Sequence, residues 1–309
     1  MTTVAAIDCG TNTLRLLIAR PVVDDAGAIV DLEAVDRATH FVRLGQGIDA
    51  TGEFHPEALA RAFEACEDIA RRISDHGVQR ARFVATSAAR DARNRHEFFA
   101  GVHQRLGLDA EVVDGAEEAE LSYAGATRGL PADTAEPILV VDIGGGSTEF
   151  VLAASGQILH RTSLDIGAVR LTERLLTGDP IAPGDWQAAS DLVDRQLDTV
   201  GVDFATVRTW LGVAGTHTSL AAIHLELEAY DRDRVHHTVL PRAAVLALAE
   251  RFAASTAQQR AQIPVLPPRR ADVIAAGSLI AARVGARVGV DLQVSESDIL
   301  DGIALGLLG

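Results

Sequence analysis

One stretch restricts the fold more than any other: Ile138-Leu-Val-Val-Asp-Ile-Gly-Gly-Gly-Ser-Thr-Glu-Phe-Val-Leu152. The apolar run 138–141 reads as a buried strand, and Asp142 stands at its end. Gly144, Gly145 and Gly146 then turn the chain without any Cβ, and Thr148 to Leu152 reads as a second strand running back. Glycines in such a turn let backbone N–H groups close on an anion. Ser147 and Thr148 add hydroxyls, while Asp142 and Glu149 place carboxylates where a divalent cation could bridge to phosphate. A glycine-rich hairpin without any ligand would carry the same pattern.

The N-terminus repeats this grammar. Val4-Ala-Ala-Ile-Asp-Cys-Gly-Thr-Asn-Thr-Leu-Arg-Leu-Leu-Ile-Ala19 is again strand, Asp-x-Gly, small polar residues, returning strand. Asp8 matches Asp142, Gly10 matches Gly144, and Thr13 matches Ser147. The spacing is too wide for a solenoid. It predicts two related domains whose hairpin loops face each other across a phosphate-binding cleft.

Charge and composition narrow the function. A net charge of −15 argues against a surface that tracks a nucleic-acid backbone. All 28 basic residues are arginine. Without lysine there is no Walker-type phosphate loop, no Schiff-base lysine and no protein-kinase lysine. Cys9 and Cys66 form neither a disulfide framework nor a metal spacing. Cys9 adjoins Asp8 in a strand, so it points to the opposite face and reads as a buried, reduced thiol. No signal peptide and no apolar run near membrane length is present, which leads us to expect a soluble cytoplasmic protein.

Along the chain, Ile29 to Val42 reads as further strand and 43–48 as a glycine-containing loop. Pro56 to Ile73 is an expected helix, with Pro56 in its first turn and Leu59, Phe63, Cys66, Ile69, Ala70 and Ile73 at helical spacing. Strand 82–85 leads to Thr86-Ser-Ala-Ala-Arg90. There Thr86 or Ser87 can cap a helix, and Arg90 lies one turn in, where it could reach phosphate or simply face solvent. Helix 94–106 and strand 110–113 follow. Asp114-Gly-Ala-Glu-Glu-Ala-Glu-Leu121 then starts a helix with an acidic first turn. The helix dipole alone favours such acids; a carboxylate at a strand's C-terminal end is also where a general base would stand. Glu117 and Glu118 lie about 100° apart on the helix, so only one can face a site.

Residues 129–137 read as a linker between a domain of residues 1–130 and a second of 131–297, with a helix over 298–309 packing back on the first. In the second domain we expect a third strand over 157–163, a helix ending near Gly178, a helix over 183–197 and a strand over 209–213. Ala214-Gly-Thr-His-Thr-Ser-Leu220 is another strand–loop–helix junction and a third candidate phosphate contact. His217, in its first turn, reads as exposed or capping. His236 and His237 lack the spacing of a helical metal pair. Helices over 242–253 and 269–281, a strand over 292–294 and a last helix capped by Ser295 or Ser297 complete a two-lobed α/β protein.

These residues resemble the exopolyphosphatase/guanosine pentaphosphate phosphohydrolase (Ppx/GppA) family in its short two-domain form, within the superfamily of actin, hexokinase and the heat-shock chaperone ATPases. Asp8-Cys-Gly-Thr-Asn-Thr13, Ala85-Thr-Ser-Ala-Ala-Arg90, Gly115-Ala-Glu-Glu-Ala119, Asp142-Ile-Gly-Gly-Gly-Ser-Thr-Glu149 and Ala214-Gly-Thr216 follow the family's order. The resemblance implies two duplicated ribonuclease-H-like domains. It implies Glu118 as the base that activates water, with Glu149 as a second catalytic group. Asp142, Glu149 and Asp8 would serve Mg²⁺, with Mn²⁺ as a substitute. Thr11, Asn12, Thr13, Arg90, Gly144, Gly145, Gly146, Ser147, Gly215 and Thr216 would hold phosphates.

The implied reaction is release of terminal orthophosphate from inorganic polyphosphate, or from guanosine pentaphosphate, by a homodimeric enzyme. An ATP-dependent kinase of the superfamily and a non-catalytic guanosine-polyphosphate binder remain open beside it. Two departures stand out. Asp114-Gly115 replaces the Ser-Gly that often precedes the Glu motif. Leu300 stands where the C-terminal signature has Arg. With no further domain and a charge of −15, short phosphate chains are the expected substrate.

Overall fold

The structure, a computed structural model, describes residues 2–309. These form two compact units: one takes the chain up to Leu130 together with Ser297–Gly309, the other takes Pro131–Glu296.

In the first unit the strands β1 (Val4–Cys9), β2 (Thr13–Val23), β3 (Ile29–Phe41), β4 (Arg80–Ala85) and β5 (Ala110–Val112) form one sheet in the order β3-β2-β1-β4-β5. β1, β2 and β3 are antiparallel neighbours, and β4 and β5 add in parallel. Strand alternation sends odd residues of β1 to one face and even residues to the other. Ile7 and Cys9 meet Leu59, Cys66 and Ile69 of the helix Pro56–Asp75 and Phe98 of the helix Arg95–Leu106. Val4 and Ala6 meet Ile299, Leu300 and Ile303 of the helix Ile299–Leu308. Cys9 and Cys66 are buried free thiols on the face away from Asp8, as the alternation requires.

The second unit repeats the plan. Strands β6 (Ile138–Ile143), β7 (Thr148–Ala154), β8 (Gln157–Leu164), β9 (Thr209–Val213), β10 (Val239–Leu240) and β11 (Leu292–Val294) order as β10-β11-β9-β6-β7-β8. The order β8-β7-β6-β9-β11 matches β3-β2-β1-β4-β5, with β10 as an added edge. β6, β7 and β8 are antiparallel neighbours, and β9 and β11 follow in parallel. Leu139, Val141 and Ile143 face the larger core, so Asp142 faces the other side.

Four expectations are corrected. The helix expected over 269–281 runs Ile274–Gly285, preceded by a 3₁₀ turn at Pro268–Arg270. Arg260 Nε donates to Ala271 O at 2.6 Å, and Arg270 is held elsewhere by side-chain bonds, so the helix starts later. The last helix is capped by Asp298, whose Oδ1 accepts from Leu300 N at 3.0 Å, not by Ser295 or Ser297. Thr86 precedes a helix of only five residues, Ser87–Asp91, and makes no side-chain cap bond. His217 is fully buried rather than exposed or capping, with Nδ1 2.7 Å from Val213 O. Among the described residues no helix is long and apolar enough to cross a membrane.

Candidate active site

The two hairpins share their turn chemistry as well as their strands. Gly10 N donates to Thr13 O at 2.9 Å, and Gly144 N donates to Ser147 O at 3.0 Å. Each Asp-x-Gly turn therefore closes with the same bond at the residues paired by sequence.

In the first unit a second loop supports this turn. Arg43 N donates to Asn12 O at 2.9 Å and Gly45 N to Thr11 O at 2.8 Å. Gly45 lies against the Thr11 methyl, where a Cβ would collide. Thr11 is buried, and its Oγ1 has no hydrogen-bond partner. A buried hydroxyl left without a partner is one that a ligand oxygen could satisfy. Gly10 also lies 4.0 Å, measured from its would-be Cβ, from Thr86 Oγ1, which places the start of the Arg90 segment beside the turn.

Glu118 sits in the first turn of the helix Gly115–Ala126. Asp114 caps that helix, its Oδ1 accepting from Ala116 N at 3.0 Å and Glu117 N at 2.9 Å. Asp at this position is thus a competent cap in place of the Ser that the family resemblance led us to expect. Glu118 is 8% exposed, and Arg90 Nη1 donates to its Oε2 at 2.6 Å and to Val113 O at 3.0 Å. Glu117 turns away to a half-exposed pair with Arg82 at 2.7 Å. The structure thus brings the expected base and the expected phosphate-gripping arginine into one ion pair.

Asp8 has a different partner. Arg15 stands directly across the strand pair and donates to Asp8 Oδ2 from Nε at 3.0 Å and Nη2 at 2.7 Å. Its Nη1 donates to Asp298 Oδ2. Burial raises the Asp8 carboxyl above its usual range, and Arg15 only partly offsets this. Burial would raise Asp298 too, but Arg15 outweighs it and holds that carboxyl below the usual range. Burial disfavours the Arg15 charge, yet the two carboxylates hold it protonated. Asp8 therefore already has a cation.

In the second unit the same register places Glu149 opposite Asp142. Both are buried, at 2% and 7% exposed, and Ser163 Oγ donates to Glu149 Oε1 at 2.7 Å. Two carboxylates directly across an antiparallel pair repel at a Cβ separation of about 5 Å. A cation relieves that repulsion, and Mg²⁺ suits two carboxylates because it keeps several waters and completes its shell with substrate phosphate. Among the described residues no set of three or more His, Cys, Asp or Glu is grouped as a full metal cage.

The glycine turn here rests on a helix end that the sequence did not single out. Ala168 N donates to Gly144 O at 2.9 Å, and Val169 N and Arg170 N to Gly145 O at 2.8 and 3.1 Å. These are the first amides of the helix Ala168–Leu175, which lack partners inside the helix. In a planar trans peptide the N–H points opposite the C=O. The N–H groups of Gly145 and Gly146 are therefore turned away from that helix, which is the orientation needed to meet an anion. Gly167 makes the approach possible: a Cβ there would lie 2.5 Å from Gly145 C and 2.6 Å from Gly146 N.

The third junction is strained. Ala214 has φ 65°, and Gly215 and Thr216 open the helix Ala214–His224. Arg270 Nη1 donates to Gly215 O at 3.1 Å and to Ser219 Oγ at 2.8 Å. A Cβ on Gly215 would lie 2.5 Å from that guanidinium, so packing alone gives this residue a reason to be glycine. Thr216 is buried, with Oγ1 3.5 Å from Ile143 O.

The pattern of the Ppx/GppA phosphatase family matches residues 22–288. The chain belongs to that family. Exopolyphosphatase 2 of Mycobacterium tuberculosis is 47% identical over 100% of this chain and 99% of its own length. A crystal structure described as an exopolyphosphatase-like protein superposes at TM-score 0.92 and 38% identity, covering 98% of each chain. That of the Aquifex aeolicus Ppx/GppA member superposes at 0.82 and 28%, covering 99% of this chain and 97% of that one. The paired strand orders are thus the actin-like ATPase fold of Ppx/GppA proteins, as the resemblance implied. Leu300, which stands where the resemblance led us to expect Arg, is buried with Val4, Ala6, Leu17 and Val84.

Proposed function

We propose that this chain releases terminal orthophosphate from inorganic polyphosphate, with Glu118 as the base for the attacking water. The observation that carries the reading is the buried Glu118 carboxylate, fixed in rotation by Arg90. Identity of 47% to a named exopolyphosphatase, over the full length of the chain, supports the substrate class.

The water oxygen attacks the terminal phosphorus and its proton passes to Glu118. The bond from phosphorus to the bridging oxygen breaks, and the remaining chain leaves one phosphate shorter. Thr11, Asn12, Thr13, Ser147 and the outward N–H groups of Gly145 and Gly146 bind phosphate oxygens, with Gly215 and Thr216 as further contacts, while Gly144, whose N–H is spent on Ser147 O, only shapes the turn. Arg90 supplies positive charge beside the base. Asp142 and Glu149 would hold Mg²⁺, or Mn²⁺ in its place, and Glu149 contributes to catalysis in that way. When bound, the ion neutralises charge on the phosphoryl group. Asp8, whose Oδ2 takes two N–H groups of Arg15, is left out of the metal set.

The test is Glu118→Gln, with folding checked by circular dichroism. Phosphate release should fall about 10²–10⁴-fold, and retained release overturns the assignment. A substrate panel of short oligophosphates, long polyphosphate, guanosine pentaphosphate and ATP then settles specificity. We expect short oligophosphates to lead; equal turnover of long chains would reject that preference.

A further inference from the structure

The helix that carries Glu118 is pressed, backbone to backbone, against the helix Ile299–Leu308, at two glycines. A Cβ on Gly302 would fall inside the Leu121 carbonyl oxygen, and one on Gly125 would fall inside the Asp298 carbonyl oxygen. Both clashes are with backbone, so no side-chain rotation relieves them. Leu121 lies one helical turn from Glu118 and Gly125 two turns, on the same helix. Any separation forced at Leu121 is passed to Glu118 along a rigid rod.

The opposing helix is itself anchored. Asp298 caps it in a capping box with Asp301, whose Oδ2 accepts from Asp298 N at 3.1 Å. Asp298 Oδ2 takes Arg15, and Arg37 Nη2 donates to Asp301 Oδ1 at 2.9 Å. Arg15 also holds Asp8, the acid of the first phosphate-loop hairpin. A continuous series of contacts therefore runs from that hairpin through Arg15 and Asp298 to Gly302, Leu121 and Glu118.

We propose that the helix Ile299–Leu308 positions the base, with Gly302 and Gly125 as positioning residues that set the depth of the Glu118 helix. The proposal rests on Glu118 being the base. A displacement of about 1 Å at a catalytic group costs on the order of 10²-fold, so a loss in kcat is expected while substrate affinity stays near normal.

The experiment is a double-mutant cycle on the whole chain with oligophosphate substrate. Gly302→Ala should lower kcat about 10- to 100-fold with KM changed less than about twofold. In the Glu118→Gln background, where there is no base left to misplace, the same change should lower the residual rate less than about twofold. Gly306→Ala, on the same helix where a Cβ meets nothing within 4 Å, should leave both constants unchanged. If Gly302→Ala does not fold, the cycle is run with Asp298→Asn, which keeps cap acceptors and weakens the tie to Arg15. Equal losses in both backgrounds, a loss confined to KM, or no loss beyond that of Gly306→Ala each overturns the positioning role. Full activity of Glu118→Gln alone overturns the base assignment instead.

Discussion

Glu149 stands directly across the strand pair from Asp142, at the place where the first hairpin sets Arg15 opposite Asp8. One duplicated position thus holds an acid in one unit and a base in the other. The first hairpin sets a cation across from its acid, whereas the second sets another acid there. Glu149→Gln is expected to reduce the rise in thermal midpoint that Mg²⁺ gives the wild-type protein. It should also lower Mg²⁺-supported phosphate release at least about a hundredfold. Thermal melts with and without Mg²⁺ check both, since a ligand of the folded state stabilises it.

Gly167→Ala tests the helix end under the glycine turn. The backbone at Gly167 has φ −150°, which alanine adopts freely, so only space is at issue. The added Cβ must push Gly145 and Gly146 away. A drop in kcat/KM of at least about tenfold, mainly in KM, is expected from steady-state kinetics. Gly184→Ala, whose Cβ meets nothing within 4 Å, should behave as wild type.

Arg15→Met leaves Asp8 and Asp298 buried without their cation, so chemical denaturation should show a loss of about 3–5 kcal/mol. The acid limb carries a signature. Asp298 titrates below its unfolded value, so its contribution is present above about pH 4 and fades as pH falls through the lower folded value. Asp8 titrates above its unfolded value and acts with the opposite sign. Asp298→Asn should therefore flatten the loss of stability below about pH 4, and Asp8→Asn should not.

His217 offers a separate pH signature. Burial pushes its imidazole down to about 4, although the bond to Val213 O opposes this. The unfolded chain takes up a proton near 6.5 and the folded chain does not, so stability falls as pH drops from about 6.5 towards 4. The full effect is about 3 kcal/mol. His217→Gln should remove that slope in denaturation curves measured across the window.

Much of this was legible in the sequence because it rested on local rules. Strand alternation and glycine turns located both hairpins, and the Asp8–Asp142 correspondence survives down to the single closing bond of each turn. The Cys9 face followed from its place beside Asp8. Long-range choices were not legible. Nothing near Arg15 announces Asp298, and nothing near Gly144 announces Gly167, because those pairings exist only once the chain has folded. His217 was misread because position in a first turn says nothing about what packs over it. The start of the helix at Ile274 was missed because a distant arginine, Arg260, claims the Ala271 carbonyl.

The sheet face formed by Val4, Ala6, Leu17 and Val84 is covered by residues translated only after the whole intervening unit, Ile299, Leu300 and Ile303. At ribosomal speeds of about 5–20 residues per second, that greasy surface waits roughly 10–30 s while the intervening unit is made. The unit begun before that insertion is thus completed only after it, and its exposed interval is when a chaperone would have the most to hold.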